Sequence, residues 1–504
     1  MNPCSSAASR PAGDLLASRA AAPSAAAAAP TACSRLPAAL FAAALLGGCA
    51  TLSPDAGFDG VAAATQQRTG QTLTWARSEA DLVTIEARVG ELLAQQPLGA
   101  DRAVQVALLN NRGLQARFQD LGITEAEVVQ ATRLPNPGFS FGRARKGDER
   151  EIERSLHLNL ARLVAWPLVS RLEARRLEQV RGEVALAVLA LAADTRRAWV
   201  QAVAADETVR YMHQVRQAAE AGAELARRME QAGNFNKLAR AREQGFYAEA
   251  ALGLARAEQA QRAARERLVR LMGLWGARTA FTLPERLPDL PAAAREQPDI
   301  EQLAMGQRLD VMAAKASVEQ TARQLGLTRR TRFINVLELG LMHHTSNEAP
   351  RQTGWEVSVE LPLFDWGTAR VARAEALYMQ ALHRAAQTAV DARSEVREAY
   401  GHYRFAFDIA RHHRDEIVPL RKRISEEQLL RYNGMLIGVF ELLADARAQI
   451  ASVSAAIEAL RDFWLAEGEL EMALIGKAAF APSTAAATRP AAGAAAMDTG
   501  ADAH

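Results

Sequence analysis

Trp355-Glu356-Val357-Ser358-Val359-Glu360-Leu361-Pro362-Leu363-Phe364-Asp365-Trp366-Gly367-Thr368-Ala369-Arg370-Val371 changes its period part-way along. Up to Leu361 the pattern alternates: Trp355, Val357, Val359 and Leu361 point one way, and Glu356, Ser358 and Glu360 the other. That is the two-residue period of a strand. Beyond Gly367 the apolar positions step by threes and fours through Val371, Ala374, Tyr378, Leu382, Ala385, Ala389, Ala392, Val396, Ala399 and Tyr403. This is a heptad-like seam, in which recurring alanine lets partner helices approach closely. The seam predicts one helix from about Gly367 to Tyr432, roughly 65 residues and on the order of 100 Å long at about 1.5 Å per residue. No compact globule needs such a helix. Pro419 predicts a kink in it, because proline deletes one backbone donor and clashes with the preceding turn.

The same switch of period occurs earlier in the chain. Leu156, Leu158 and Leu160 alternate with His157 and Asn159, and a long helical pattern follows from about Leu168 to Gln231. A further strand is predicted where Leu337, Leu339 and Leu341 alternate with Glu338 and Gly340. The two regions are related by matches at a spacing of about 200 residues. Thr132-Arg133-Leu134-Pro135-Asn136 matches Thr331-Arg332-Phe333-Ile334-Asn335, and Arg196-Arg197-Ala198-Trp199 matches Val396-Arg397-Glu398-Ala399-Tyr400 on an Arg-x-Ala-aromatic core. Gly233 matches Gly434, and Met272-Gly273-Leu274-Trp275-Gly276 matches Met472-Ala473-Leu474-Ile475-Gly476. Each half therefore reads as helix, two strands, a very long helix, a turn and a shorter helix. Pro284, Pro288, Pro291 and Pro298 mark the join between the halves.

Alternating strands of this kind suit either a soluble sandwich or a membrane barrel with apolar residues toward lipid. The start of the chain favours the barrel. Arg10, Arg19 and Arg35 precede an apolar run from Leu36 to Leu46, which ends in Leu46-Gly47-Gly48-Cys49. A positive region, a short apolar region and small residues before a cut site describe a secretory signal. The run is too short to span a bilayer. Cysteine after Leu-Gly-Gly resembles the bacterial lipobox, which implies cleavage between Gly48 and Cys49 and a lipid on Cys49, with no other cofactor. Ala50 rather than aspartate follows, which by the same resemblance implies sorting to the outer membrane. Cys4 and Cys33 lie within the leader, so no free thiol is left for an oxidising compartment to cross-link.

The expected organisation is a signal peptide over 1–48, an N-terminal anchored segment and equatorial helix over 49–100, and a first repeat over 101–275. A Pro-rich linker over 276–298, a second repeat over 299–477 and an Ala/Pro-rich tail over 478–504 follow. The tail has too few large side chains to order itself. The formal charge of +2 comes from the leader, so the remainder is balanced and gives no electrostatic case for nucleic acid. Four strands per chain cannot close a membrane barrel, for which about eight is the lower limit. Open edges are excluded in lipid, so the strands must be shared among chains. Three copies would supply about twelve, within the range of known barrels.

Three blocks then resemble the TolC-type outer-membrane efflux proteins. They are Leu121-Gly122-Ile123-Thr124-Glu125-Ala126-Glu127-Val128-Val129-Gln130-Ala131 with Leu134-Pro135-Asn136-Pro137, then Leu361-Pro362-Leu363-Phe364-Asp365-Trp366-Gly367, and Arg431-Tyr432-Asn433-Gly434 with Phe440-Glu441-Leu442-Leu443. The likeness covers roughly residues 55 to 477, and its first block is most similar to the heavy-metal efflux branch. It departs from the family around Ala165-Trp166-Pro167, where no Phe-Asp-x-Gly turn stands. The fold implied is mainly α with a small β part: a homotrimer whose shared twelve-stranded outer-membrane barrel continues into a tunnel of helical hairpins. The implied partners are outer-membrane lipid, a periplasmic membrane-fusion adaptor and an inner-membrane pump of the resistance-nodulation-division type. The implied function is a passive duct for metal cations or small toxic organics.

Gly233 with Asn234, and Asn433 with Gly434, stand where each long helix must reverse, and both residue types tolerate positive φ. By resemblance these turns form the periplasmic tip that meets the adaptor. Glu426 and Glu427, about two turns before the second reversal, are the candidates for a pore gate; the alternative is a solvated helix face. His343-His344 and His412-His413 could suggest metal ligation, but neighbours diverge by 180° on a strand and about 100° on a helix, so no metal site is assigned. No nucleophile elbow, phosphate loop or zinc motif appears, so no enzyme is expected. The competing readings are the duct of a type I protein secretion machine and a structural periplasmic lipoprotein or adaptor.

Overall fold

The computed structural model describes residues 52–332, 337–360 and 363–476. The leader, Cys49, Leu361-Pro362 and the tail lie outside the described residues. The chain runs through α1 (Phe58–Thr69), α2 (Glu79–Ala94), α3 (Ala100–Asn110), α4 (Arg112–Thr132), β1 (Gly138–Lys146), β2 (Glu149–Asn159), α5 (Leu160–Gln231) and α6 (Lys237–Leu271). The second half runs through α7 (Ile300–Gln307), α8 (Leu309–Thr331), β3 (Leu337–Ser346), β4 (Gln352–Val359), α9 (Thr368–His412), α10 (Val418–Asn433) and α11 (Val439–Ile475). The order helix, two strands, long helix, turn, returning helix holds in both halves. Thr132 and Thr331, matched by sequence, are the last residues of α4 and α8.

Helix α5 is 72 residues, about 108 Å at 1.5 Å per residue. It packs against α4 at one end and α6 at the other; α9 does the same with α8 and α11. The helix begins at Leu160, eight residues before the predicted start, so Leu160 does not extend the strand as its alternation suggested. Two local contacts account for this. The Asn159 side chain accepts from the Arg162 N–H at 2.9 Å, capping the helix. Pro167 then falls inside the helix, where its missing N–H frees one carbonyl near the start. The Trp166 indole donates to the Thr132 carbonyl, bracing that turn against the end of α4.

At Pro419 the helix does not break. A five-residue π turn, His413–Ile417, joins α9 to α10, and Pro419 sits at the start of α10. The wider turn re-routes the carbonyls that an α-helix would have aimed at the proline's absent N–H. This widened turn stands where the sequence predicts a kink.

The core lies where the short helices pack on the middle of the long ones. Val89, Val106, Val203, Leu268 and Met272 are buried in one cluster, Val104, Phe118, Leu121 and Val188 in a second, and Val396, Tyr403, Phe407 and Phe463 in a third. The proline-rich segment is docked rather than loose: Phe281 and Leu287 are buried in the first cluster and Leu290 in the third. Trp199 donates from its indole to the Leu98 carbonyl at 2.8 Å, and the Tyr403 hydroxyl accepts from the Arg295 N–H at 3.0 Å. Each aromatic ties down the segment leading into a short helix, α3 or α7.

A second device recurs at the breaks between paired helices. Asn110 donates from Nδ2 to the carbonyls of Met272 at 3.0 Å and Gly273 at 2.7 Å, and Asn111 to Leu271 at 2.9 Å. These are the orphan carbonyls at the end of α6. The approach is close enough that a Cβ on Gly273, at φ +65°, would lie 2.7 Å from the Asn110 carbonyl oxygen. In the second half Arg308, between α7 and α8, donates to the Ala473 carbonyl near the end of α11 at 2.8 Å. It also pairs with Asp310 at 2.6 Å and Glu395 at 2.9 Å while only 1% exposed.

Candidate functional site

Two regions carry residues that the folded chain does not use internally: the four-stranded sheet and the opposite turns of the long helices. The sheet is antiparallel in the order β1-β2-β3-β4. Its register is continuous, so the face of every side chain follows from the pairing. Phe139↔Leu156↔Leu341↔Trp355 share one row and one face, with Leu158↔Leu339↔Val357 and Leu337↔Val359 in the rows nearer the helices. The other face carries Ser140↔Ser155↔Met342, Gly142↔Glu153↔His344 and Ala144↔Glu151↔Ser346, with Asn159↔Glu338↔Ser358 and Glu356 toward the helical end. The alternation read from single strands thus becomes one apolar and one polar face across the whole sheet.

Among the described residues both faces keep exposed side chains, although Ser155 and Gly340 on the polar face are buried. Trp355 is 73% exposed, and exposed apolar side chains follow beyond the strands at Val164, Leu363, Trp366 and the fully exposed Phe364. A row of large apolar side chains facing outward is costly in water, at about 25 cal/mol per Å². It is the arrangement of a membrane-facing strand. The outer edges of β1 and β4 have no partner among the described residues. Among the described residues no helix is long and apolar enough to cross a membrane.

Toward the hairpin ends the outward face changes character. Arg143 and Arg145 follow Phe139 and Phe141 on β1, with Arg150 and Arg154 beside them on β2; Arg145 and Arg150 are direct partners. All four are exposed, and the described residues offer none of them a carboxylate partner. Besides Asp148 in the turn, the hairpin has three carboxylates, Glu149, Glu151 and Glu153, all on the opposite face, where His344 stands 3.6 Å from Glu151 and 3.7 Å from Glu153. The sequence signal for this separation is Arg150-Glu151-Ile152-Glu153-Arg154, which alternates in sign as well as in polarity.

At the other end the two reversals lie side by side, joined by the stacked rings of Phe235 and Phe440 with centroids 4.5 Å apart. Gly233, Asn234, Asn433 and Gly434 are all exposed there. Gly233 takes positive φ as predicted, and the Asn234 N–H closes the turn on the Met229 carbonyl at 2.9 Å. Gly434 does not: its φ is −79°, and the left-handed position is Met435 at φ +58°. The Leu436 N–H closes that turn on the Arg431 carbonyl at 2.9 Å. The geometric equivalent of Gly233 is therefore Met435, one residue beyond the sequence match. Met435 is 94% exposed and Leu436 77%, which adds an apolar knob that the sequence pattern did not single out.

Glu426 and Glu427 are exposed on α10. Glu427 lies 3.8 Å from Arg431, one turn on, and shares a shallow groove with Arg423 and Arg431. Its charge is compensated locally; Glu426 has no such ion pair among the described residues. The two histidines of each pair diverge. His343 is on the apolar face and His344 on the polar face of β3, while His412 meets Glu416 at 3.2 Å.

No protein-family model and no curated protein sequence matches the chain. Solved structures do. The chain is similar to CusC, described in connection with transmembrane channel formation, at 17% identity and a TM-score of 0.60, over 75% of this chain and 92% of that one. It is similar to the open state of the MtrE outer-membrane channel of Neisseria gonorrhoeae at 18% identity and a TM-score of 0.61, over 75% and 89%. VceC, an outer-membrane protein of Vibrio cholerae, matches at 14% identity and a TM-score of 0.58, over 79% and 97%. The fold is that of the TolC-type outer-membrane efflux channels. Within that fold the four strands and the helical reversals stand at opposite ends of the long helices, with the largest buried clusters between them.

Proposed function

We propose that this chain is one third of a passive outer-membrane duct. Three copies share a twelve-stranded barrel, and their long helices continue it as a tunnel. The observation that carries the reading is the sheet: one apolar face, one polar face, and two edges unpartnered among the described residues, at the end of a helix about 108 Å long. Unpaired edges cannot be left in lipid, and closure by symmetric copies satisfies them.

In this reading residues 1–48 are a signal peptide cut between Gly48 and Cys49, and Cys49 carries a lipid that supplements a barrel already held by its own apolar face. The tip formed by Gly233, Asn234, Asn433 and Gly434, with Met435 and Leu436, docks a periplasmic adaptor, and an inner-membrane pump supplies the energy. Metal cations or small toxic organics are the cargo of such an efflux assembly. Glu426, which makes no ion pair among the described residues, is the better gate candidate; three copies would place a carboxylate ring in the path and favour cations. Replacing Glu426 by Gln lowers cation-over-anion permeability, read as a shifted reversal potential in a salt gradient. An unchanged reversal potential removes Glu426 from the gate.

The duct and a lipid-tethered adaptor differ in what holds them to the membrane. Cys49→Ser leaves a barrel-forming duct in the membrane fraction after alkaline carbonate extraction, with slower sorting or assembly. If the variant is released into the soluble fraction, the tether was the sole attachment and the duct reading fails.

A further inference from the structure

We propose that the arginine patch at the hairpin end of the outward face binds the phosphates of an anionic glycolipid headgroup in the leaflet around the barrel. The inference rests on the barrel reading above, because the apolar face fixes which side of the sheet meets lipid. Arg143, Arg145, Arg150 and Arg154 lie on that face, beyond the aromatic row of Phe139 and Trp355. His343 adjoins Arg154 in the register and extends the same polar zone.

Three observations point to an anionic occupant. Like charges directly opposite on one face destabilise a sheet, and Arg145 and Arg150 are such a pair. The natural remedy, a carboxylate across the strand, is absent, although the same hairpin has Glu149, Glu151 and Glu153 within one residue of these positions; all three are on the other face. The zone also sits where headgroups begin. Outward apolar positions on β3 run only from Leu337 to Leu341, about 14 Å along a strand at roughly 3.4 Å per residue. Exposed apolar side chains resume beyond the strands at Val164 and Phe364, whereas past Phe141 the positions of this face toward the hairpins are, Ile152 apart, arginine, histidine and threonine. The arginines are therefore at the headgroup level of the leaflet away from the tunnel.

Guanidinium groups bind phosphate by paired N–H donors, and four of them in adjacent register positions suit a headgroup carrying more than one phosphate. Three copies would ring the barrel with twelve such groups. A headgroup with two phosphates on a disaccharide fits this density better than one with a single phosphodiester.

The test uses the purified full-length trimer. Its binding to bisphosphorylated lipid A is compared with binding to the same lipid stripped of phosphate, and with phosphatidylglycerol, by native mass spectrometry and thermal shift. Wild-type protein retains and is stabilised by the bisphosphorylated lipid, at least tenfold more tightly than by the other two. Replacing the four arginines by Gln removes that preference while leaving single-channel conductance unchanged; Lys146→Gln, on the polar face, leaves the preference intact. If the fourfold variant does not assemble, Arg145→Gln and Arg150→Gln singly show graded loss. Equal binding of the phosphorylated and stripped lipids overturns the proposal, as does an unaltered preference in an assembled variant. Phosphatidylglycerol binding as tight as lipid A overturns the assigned occupant. Wild-type protein that conducts yet shows no preference sinks this proposal alone, whereas failure to form any pore sinks the duct reading with it.

Discussion

Arg308 in the second half and Asn110 with Asn111 in the first occupy the same place in the architecture and solve the same problem with different chemistry. Each sits at a break between two helices and donates to the last carbonyls of a returning helix. The asparagines are neutral. Arg308 brings a charge into a site where it is 1% exposed, and Asp310 and Glu395 surround it. Removing one member of a buried ion cluster typically costs about 3–5 kcal/mol. Arg308→Ala should lower stability by roughly 3 kcal/mol, measured by urea unfolding. Arg308→Lys should recover only part, because a single ammonium cannot serve two carboxylates and a carbonyl as a guanidinium fork does. At the tip, Met435 holds a left-handed conformation that costs a non-glycine residue about 1–2 kcal/mol. Met435→Gly should slow hydrogen exchange of the amides around 433–438, and faster exchange there would show that the strain is relieved some other way. Neither feature was legible beforehand. Arg308 acts through contacts more than 80 residues away, and the turn's register slips by one residue against the matching Gly233 and Gly434.

The elements themselves were readable from period alone. A period of two places Trp355, Val357 and Val359 on one face, and the four-strand register extends that face across the sheet. The long helices were readable for the same reason, since threes and fours persist without interruption. Their ends were not. Asn159 and Trp166 set the start of α5 through a side-chain cap and a contact to Thr132, neither of which has a periodic signature. Pro419 was read as a kink, and a π turn absorbs it because an extra residue in the preceding turn moves the carbonyls out of the proline's way. The two faces make a sharp prediction. Val357→Arg puts a charge on the lipid face, at a cost of about 2–4 kcal/mol near the bilayer midplane. It should reduce the yield of heat-stable trimer on refolding into liposomes. Ser358→Arg, on the neighbouring polar position, should assemble at close to wild-type yield. Equal loss from both would mean that the faces are not distinguished by their surroundings.

At the scale of the whole molecule, one wall is divided by function. The largest core clusters lie in the middle, where short helices and the docked 276–298 segment pack on α5, α6, α9 and α11, and a small one, Val215, Ala219 and Ala250, lies toward the tip. The two ends are left incomplete: a sheet with open edges and a tip with exposed Met435 and Leu436. A single chain has no way to satisfy either, which is why the reading requires further copies at one end and a partner at the other. Cargo is a property of the assembly rather than of this wall, and the sequence carries correspondingly little about it. The central claim is that copies of the sheet close into a water-filled barrel, and single-channel recording of the purified protein in planar bilayers tests it most directly. The account predicts discrete, long-lived conductance steps of uniform size that persist in the Cys49→Ser variant. Membranes that take up the protein without any conductance steps would contradict it.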